Sequence, residues 1–207
     1  MWKEGVCLGI VFLCGMGLFN FINKKKWYDT LSLPFPWLEI VHGLLWSLIF
    51  FVNGWNVSSG LFCFMTTALM LLSLVDLKTY EIPPSLNGLI LSCAVLHACI
   101  NLDQWKNWLL GFFMVSLPLY LLFLLSGGKA IGGGDIKLMA VCGVMIGWKN
   151  ILLALFLGCI LGSVFHLLRM KLLGADRVLA MGPYLAAGIY LSMLFGERWI
   201  HWYLSFL

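Results

Sequence analysis

Two aspartates border long apolar stretches of the chain, where a membrane protein rarely places a charge. Asp76 ends one apolar run, and Asp135 opens another directly after three glycines. A charged side chain at the centre of a membrane-spanning helix costs about 2.5–3.5 kcal/mol, so such residues usually mark function. The two aspartates are therefore the first candidates for chemistry.

The pattern of apolar runs predicts that both aspartates lie at helix ends on the same side of the membrane. Two carboxyl groups that lie close together cannot easily both ionise, so they share one proton over a wide pH range. The ionised carboxyl can then take a proton from water while the protonated one donates to a peptide carbonyl. Such a pair can hydrolyse an amide bond without a metal.

Each aspartate also has an ordinary structural explanation, and the pair has a second functional one. An aspartate at a helix end is often an interfacial residue or a cap, and a helix start favours an acidic side chain. A transporter or channel could use the same two residues to relay protons or bind cations. Their position at helix ends, away from the bilayer midplane, favours hydrolysis over transport.

Glycines surround the second aspartate. The loop before Asp135 contains five of them, including Gly132, Gly133 and Gly134. Backbone without side chains can adopt unusual dihedral angles and allows an extended substrate to approach closely. The motif of a soluble phosphate-binding loop is absent from this sequence, so we interpret these glycines as an active-site loop that positions substrate.

The elements that must position these residues are membrane helices. Of 207 residues, 62% are apolar and 11% are charged, whereas about a quarter of a soluble domain is charged. The apolar runs are long enough to cross about 30 Å of hydrocarbon. We predict an all-α, polytopic transmembrane bundle of about eight spans, with six as the alternative, in one integral membrane domain (1–207). The predicted spans are 5–22, 37–53, 58–75, 85–100, 107–125, 136–148, 150–168 and 182–196.

The basic residues predict the orientation of this bundle. On one side, alternate connections carry nine of them: Lys24, Lys25, Lys26, Lys78, Lys129, Lys137, Arg169, Lys171 and Arg177. On the other side there are four: Lys3, Lys106, Lys149 and Arg198. Because cytoplasmic loops carry the excess of lysine and arginine, we expect loops 23–36, 76–84 and 126–135 in the cytosol and both termini outside.

Four sequence motifs resemble those of the type IV prepilin peptidases, and they follow one another in the family's order. Asp76 with Ile82-Pro83 is similar to the first catalytic motif, and Gly132-x-Gly134-Asp135-x-Lys137-Leu138 is similar to the second. Pro36-x-x-Glu39-x-x-x-Gly43 and the segment from Gly182 to Gly188 complete the set. Together the motifs extend over residues 36 to 188, nearly all of the predicted helices.

The resemblance implies an activity, a substrate and a location. It implies a membrane-embedded aspartic endopeptidase with Asp76 and Asp135 as its catalytic residues. The implied substrates are prepilins or pseudopilins, cut after a glycine at the cytosolic face of a bacterial cytoplasmic membrane. The lipid bilayer is the other expected partner, and no nucleic acid is expected. A non-catalytic subunit of a pilus or secretion machine remains an alternative.

One departure from the family concerns cofactors. Longer bacterial members carry two CxxC pairs between the first and second helices, whereas the corresponding loop 23–36 has no cysteine. The four histidines share no ligand spacing either, so we predict no metal site. Many members also N-methylate the new amino terminus with S-adenosylmethionine. The shortened loop argues against that activity, so we expect S-adenosylmethionine as a cofactor only if the activity is retained.

Five further residues are assigned weaker roles by the motifs. Lys137 and Lys78 could hold substrate near the aspartates, although both could also be ordinary cytosolic lysines. Pro83 suits the start of the fourth helix and helps to shape the active-site loop. Glu39 lies in the first turn of the second helix, where an acid interacts well with the dipole. Glu39 and Gly43 are therefore candidates for supporting roles only.

Overall fold

The described part of the computed structural model comprises residues 2–24, 37–173 and 179–206. These residues form eight α-helices and one short 3-10 turn, Leu102–Gln104, and contain no strand. The predicted all-α helical bundle is thereby confirmed, while most of the predicted loop 23–36 lies outside the described residues. The helices are α1 (Trp2–Lys24), α2 (Trp37–Asn53), α3 (Val57–Thr79), α4 (Pro84–Ile100), α5 (Trp105–Leu125), α6 (Gly133–Ile146), α7 (Trp148–Leu173) and α8 (Gly182–Leu204).

Four segments of these helices are long and apolar enough to cross a membrane: Gly5–Ile22, Val57–Thr79, Leu102–Leu125 and Trp148–Leu172. Helices α2 and α4 are apolar but shorter. Many large apolar side chains on α5 and α7 point outward, as lipid-facing residues do, for example Leu125 and Phe156. The chain is thus a multi-pass membrane protein, and the number of eight spans stays a prediction.

Two predicted loops are shorter in the structure than in the sequence prediction. Helix α3 continues through Thr79, so Asp76 and Lys78 lie in its last turn and the loop begins at Tyr80. Tyr80 ends the helix in a left-handed conformation, with its N–H donating to the Asp76 carbonyl at 2.9 Å. Helix α6 likewise begins at Gly133, before the predicted start. Helix-end residues were assigned to loops because they are polar, although their backbone is helical.

Helix α6 forms the centre of the bundle. It packs against α4 and α5, whereas α8 packs against α7 and α3. Leu138, Met139 and Cys142 of α6 have no exposed surface. Because α6 carries Asp135 in its first turn, its burial holds that aspartate in place relative to the surrounding helices.

One close helix crossing and one buried histidine hold helices of the bundle together. A Cβ atom on Gly111 of α5 or on Gly143 of α6 would overlap the backbone of the other glycine. Small residues allow membrane helices to approach this closely and pack well. On the other side of the bundle, buried His42 connects three helices, since its Nδ1 contacts the Gly15 carbonyl and its Nε2 the Thr67 hydroxyl, both at 2.9 Å. A carbonyl only accepts, so Nδ1 carries the proton.

Candidate active site

Asp76 is a buried carboxylate in the last turn of α3. Only 5% of its surface is exposed. Its Oδ2 accepts a hydrogen bond of 2.8 Å from the backbone N–H of Gly182, which is 106 residues further along the chain. Gly182 is the first residue of α8, and the N-terminus of a helix favours a negative charge. The start of α8 therefore orients the Asp76 carboxylate.

The same contact requires glycine at position 182. A Cβ atom there would lie 2.7 Å from Oδ2 of Asp76, closer than non-bonded atoms normally approach. The sequence analysis included Gly182 in a family motif but assigned it no role. A glycine followed by proline at a predicted helix start does suggest that another group approaches the backbone there. Nothing in the local sequence indicates that this group is Asp76.

Asp135 lies in the first turn of α6 and is partly buried. The N-cap of this helix is Gly132, and a Cβ atom on Gly132 would lie 3.0 Å from Oδ2 of Asp135. Burial, and after it the nearby Asp76 carboxylate, raise the pKa of Asp135 to about 6, while the Gly132 backbone acts in the opposite direction. The two acidic groups are therefore near enough for the charge of one to disfavour ionisation of the other.

The loops next to the two aspartates are in contact. A Cβ atom on Gly134 would lie 2.9 Å from the Cβ atom of Ile82, so the start of α6 lies directly against the loop that follows α3. Pro83 caps the start of α4 with an extended backbone, and Pro84 is the first residue of that helix. The end of α3 and the starts of α4, α6 and α8 therefore meet at one end of the bundle.

The other predicted site residues take different positions. Lys78 is exposed at the end of α3, and Lys137 is exposed near the start of α6. Gly133 has open space where a Cβ atom would lie. Glu39 is in the first turn of α2 and is only 3% exposed. Gly43 packs against α1, since a Cβ atom there would lie 2.8 Å from the Phe12 carbonyl oxygen. Gly43 therefore serves helix packing.

A cavity of about 470 Å³ lies at the opposite end of the bundle, and none of the predicted catalytic residues line it. Its walls include Asn53, His97, Trp108 and Asn150, each with one buried polar atom that has no hydrogen-bond partner among the described residues. Water is the expected partner of such atoms in a polar cavity. No motif in the sequence predicts this cavity.

No group of three potential metal ligands converges within the part of the chain that the structure describes. The cysteines in this part are all free, and three of them are buried in the helices: Cys63, Cys93 and Cys142. The acids Asp76 and Asp135 thus form a pair rather than part of a larger ligand cluster. That the protein works without a metal stays a prediction.

The fold and the site together define a class: a multi-pass, all-α membrane protein with two interacting carboxyl groups at one end of its bundle. The chain belongs to the type IV leader peptidase family, whose model matches residues 63–167. Both aspartates fall inside the matched region. The resemblance inferred from the sequence motifs is thereby confirmed.

Several curated relatives carry the name prepilin leader peptidase/N-methyltransferase. The protein of Stutzerimonas stutzeri is 29% identical over 187 residues, which cover 86% of this chain and 64% of the relative. The protein of Pseudomonas aeruginosa is 26% identical, and the match covers 83% of this chain and 62% of the relative. The chain thus spans slightly less than two thirds of the length of these relatives. No solved structure matches it.

Proposed function

We propose that this protein is a membrane-embedded aspartic endopeptidase that removes the leader peptide from prepilins or pseudopilins. The observation that carries the proposal is that the helix ends holding Asp76 and Asp135 meet at one end of the bundle, where Gly134 lies directly against Ile82, in a chain of the type IV leader peptidase family. The names of the relatives support the substrate class. Cleavage after a glycine at the cytosolic face belongs to the same proposal.

The proposed reaction uses the two aspartates as one unit with a single shared proton. The ionised carboxyl takes a proton from water, whose oxygen attacks the peptide carbon. The protonated carboxyl donates its proton to the carbonyl oxygen, which gives a neutral tetrahedral intermediate. When this intermediate collapses, the C–N bond breaks and the leaving nitrogen takes the proton held by one carboxyl. One hydroxyl of the intermediate returns its proton to the other carboxyl as it becomes the product carbonyl, so the pair again holds a single proton.

The first prediction tests this pair. In a host without its own prepilin peptidase, the wild-type protein should convert a co-expressed prepilin to the shorter mature form. Asp76→Asn or Asp135→Asn should each slow processing about a hundredfold or more, because each removes one partner of the acid–base pair. The measurement is the rate at which the mature form appears on a gel, together with the amount of each variant in the membrane.

Asp103→Asn is the matched control, since Asp103 is an exposed aspartate in the short turn between α4 and α5. It should process at the wild-type rate. Normal processing by either active-site variant would refute the paired-acid mechanism. Absence of processing by the wild-type protein would instead leave transport or a non-catalytic assembly role as the better hypothesis.

We propose neither a metal nor a resident cofactor, and methyl transfer is not part of the proposed function. The relatives include N-methyltransferase in their name, so the activity is worth testing in the same assay. Adding S-adenosylmethionine with a labelled methyl group should leave the mature product unlabelled. Label in the mature pilin would show that the shortened loop does not abolish methyl transfer.

A further inference from the structure

An apolar groove of about 280 Å³ lies between α2, α3 and α8 on the side of the bundle. Its walls include Leu38 and Val41 of α2, Met70 and Leu74 of α3, and Ala187 and Tyr190 of α8. Val41 is 44% exposed, and Ala187 is also exposed. Within the described part of the chain, the groove is therefore open to a ligand from the surrounding membrane.

One end of this groove adjoins the candidate catalytic site. Ser73 and Pro183 both line the groove. Ser73 is one helical turn before Asp76 on the same face of α3, and Pro183 directly follows Gly182, whose N–H binds the Asp76 carboxylate. A polypeptide segment that lies in the groove would therefore continue directly to the acidic pair.

The other end of the groove is closed by a contact between two helices. The hydroxyl of Tyr190 donates a hydrogen bond of 2.9 Å to the Leu45 carbonyl and so connects α8 to α2. Between Pro183 and Tyr190, α8 rises by about 10 Å at 1.5 Å per residue. The groove thus extends over two helical turns from the acidic pair toward the middle of the bundle.

Most side chains that line the groove are apolar, and its few hydroxyl groups are already hydrogen-bonded within the protein. Besides the Tyr190 hydroxyl, two hydroxyl groups line it, and each is bonded to a carbonyl of its own helix. Ser73 donates to Leu69 at 2.7 Å, and Thr66 donates to Phe62 at 2.8 Å. With these donors occupied, the groove contributes mainly apolar contact, and a charged or strongly polar segment would lose its hydration there without compensation.

We propose that this groove binds the apolar residues of the substrate that lie next to the scissile bond. The volume is too small for a whole helix but suits the side chains from one face of a helix, spaced at i, i+3 and i+7. Continuity with Asp76 favours a substrate segment over a lipid chain as the occupant. The inference rests on the proposed function and names the surface that selects an apolar neighbour of the cleavage site.

Filling the groove tests the inference. Ala187→Phe places an aromatic ring in the groove from an exposed position, so it should leave the core intact. We expect the processing rate to fall about tenfold or more, because a blocked apolar pocket discriminates by at least this factor. Cys159→Phe is the control, since Cys159 is an exposed small residue on α7, and it should process at the wild-type rate.

Photo-crosslinking identifies the occupant. A photoreactive amino acid replaces Val41 or, as control, Cys159 in the Asp135→Asn variant, which is expected to retain uncleaved prepilin. The probe at position 41 should capture the apolar segment beside the cleavage site, and the probe at position 159 should not. Capture of lipid alone at position 41, or wild-type processing by Ala187→Phe, would overturn the inference while leaving the proposed protease intact. Failure of the wild-type protein to process prepilin would refute both the proposed function and this inference.

Discussion

At the scale of single residues, the orientation of Asp76 depends on a glycine far away in the sequence. The carboxylate accepts the N–H of Gly182 at the start of α8. A hydrogen bond to a charged group contributes about 1.5–3 kcal/mol, and here it also sets the direction of the side chain. Gly182 therefore holds the side chain of Asp76 in place, and the Asp76 carboxylate occupies the space that a Cβ atom on Gly182 would need.

The second prediction follows from this contact. Gly182→Ala should lower the processing rate roughly 10- to 100-fold, because the added methyl group displaces Asp76 and removes a charged hydrogen bond. The measurement is the rate of prepilin processing by purified variants in detergent. Thermal unfolding of the same samples separates this effect from general loss of structure.

Gly88→Ala is the matched control for position 182. Gly88 also lies in a helix, α4, but a Cβ atom there would meet nothing within 4 Å. It should therefore process at the wild-type rate, and its thermal stability should be equal to or slightly above that of the wild-type protein, because alanine suits a helix interior better than glycine. If Gly182→Ala also processes at the wild-type rate, the hydrogen bond does not orient Asp76 for the reaction.

At the scale of helices, the position of Asp135 depends on how closely α6 approaches α5. The backbones of Gly111 and Gly143 lie directly against each other where these helices cross. In a membrane the helices have no hydrophobic driving force to associate, so close van der Waals packing of small residues contributes much of the stability. A change at this crossing would move α6 and, with it, the aspartate in its first turn.

The third prediction concerns this crossing. Gly143→Ala should destabilise the folded protein by about 1–3 kcal/mol, as expected for overpacking a tight contact. The measurement is the midpoint of thermal unfolding in detergent. Gly60→Ala in α3 is the control, because a Cβ atom there has open space, and replacing a glycine within a helix by alanine raises stability slightly. Equal stability of Gly143→Ala and the wild-type protein would contradict the described packing.

At the scale of the whole molecule, both aspartates and the glycine loop occupy one end of the bundle, and the polar cavity occupies the other. The distribution of basic residues predicts that the end with the aspartates faces the cytosol. The loop containing Lys129 belongs to this end, since it leads directly into Gly132 and Asp135. The turn containing Asp103 follows α4 and belongs to the opposite end.

The fourth prediction tests this orientation. In a chain whose native cysteines are replaced by alanine, the Asp103→Cys variant should react in intact cells with a maleimide that cannot cross the membrane. The Lys129→Cys variant should react only after the cells are permeabilised, because its loop faces the cytosol. Retained prepilin processing is the control for correct folding. The reverse labelling pattern would place the aspartates on the outer face and refute cytosolic cleavage.

Much of the architecture could be predicted from the sequence because it depends on local hydrophobicity. An apolar run long enough to cross the bilayer forms a helix, since backbone polar groups in lipid must be satisfied within the segment. The predicted span 37–53 therefore coincides with α2. The polar helix ends were predicted less well. Asp76 and Lys78 were assigned to a loop because they are polar, but α3 extends to Thr79, and the buried Asp76 carboxylate is satisfied by the Gly182 N–H.

By itself, the sequence determined the helical bundle, the family and the two aspartates at helix ends, because each of these depends on runs and motifs of neighbouring residues. Only the tertiary structure decided that Gly182 binds Asp76, that Gly111 crosses Gly143, and that an apolar groove ends beside the acidic pair. These features arise where helices distant in sequence pack together. Their contacts depend on the spacing between helices, which no local pattern of residues specifies.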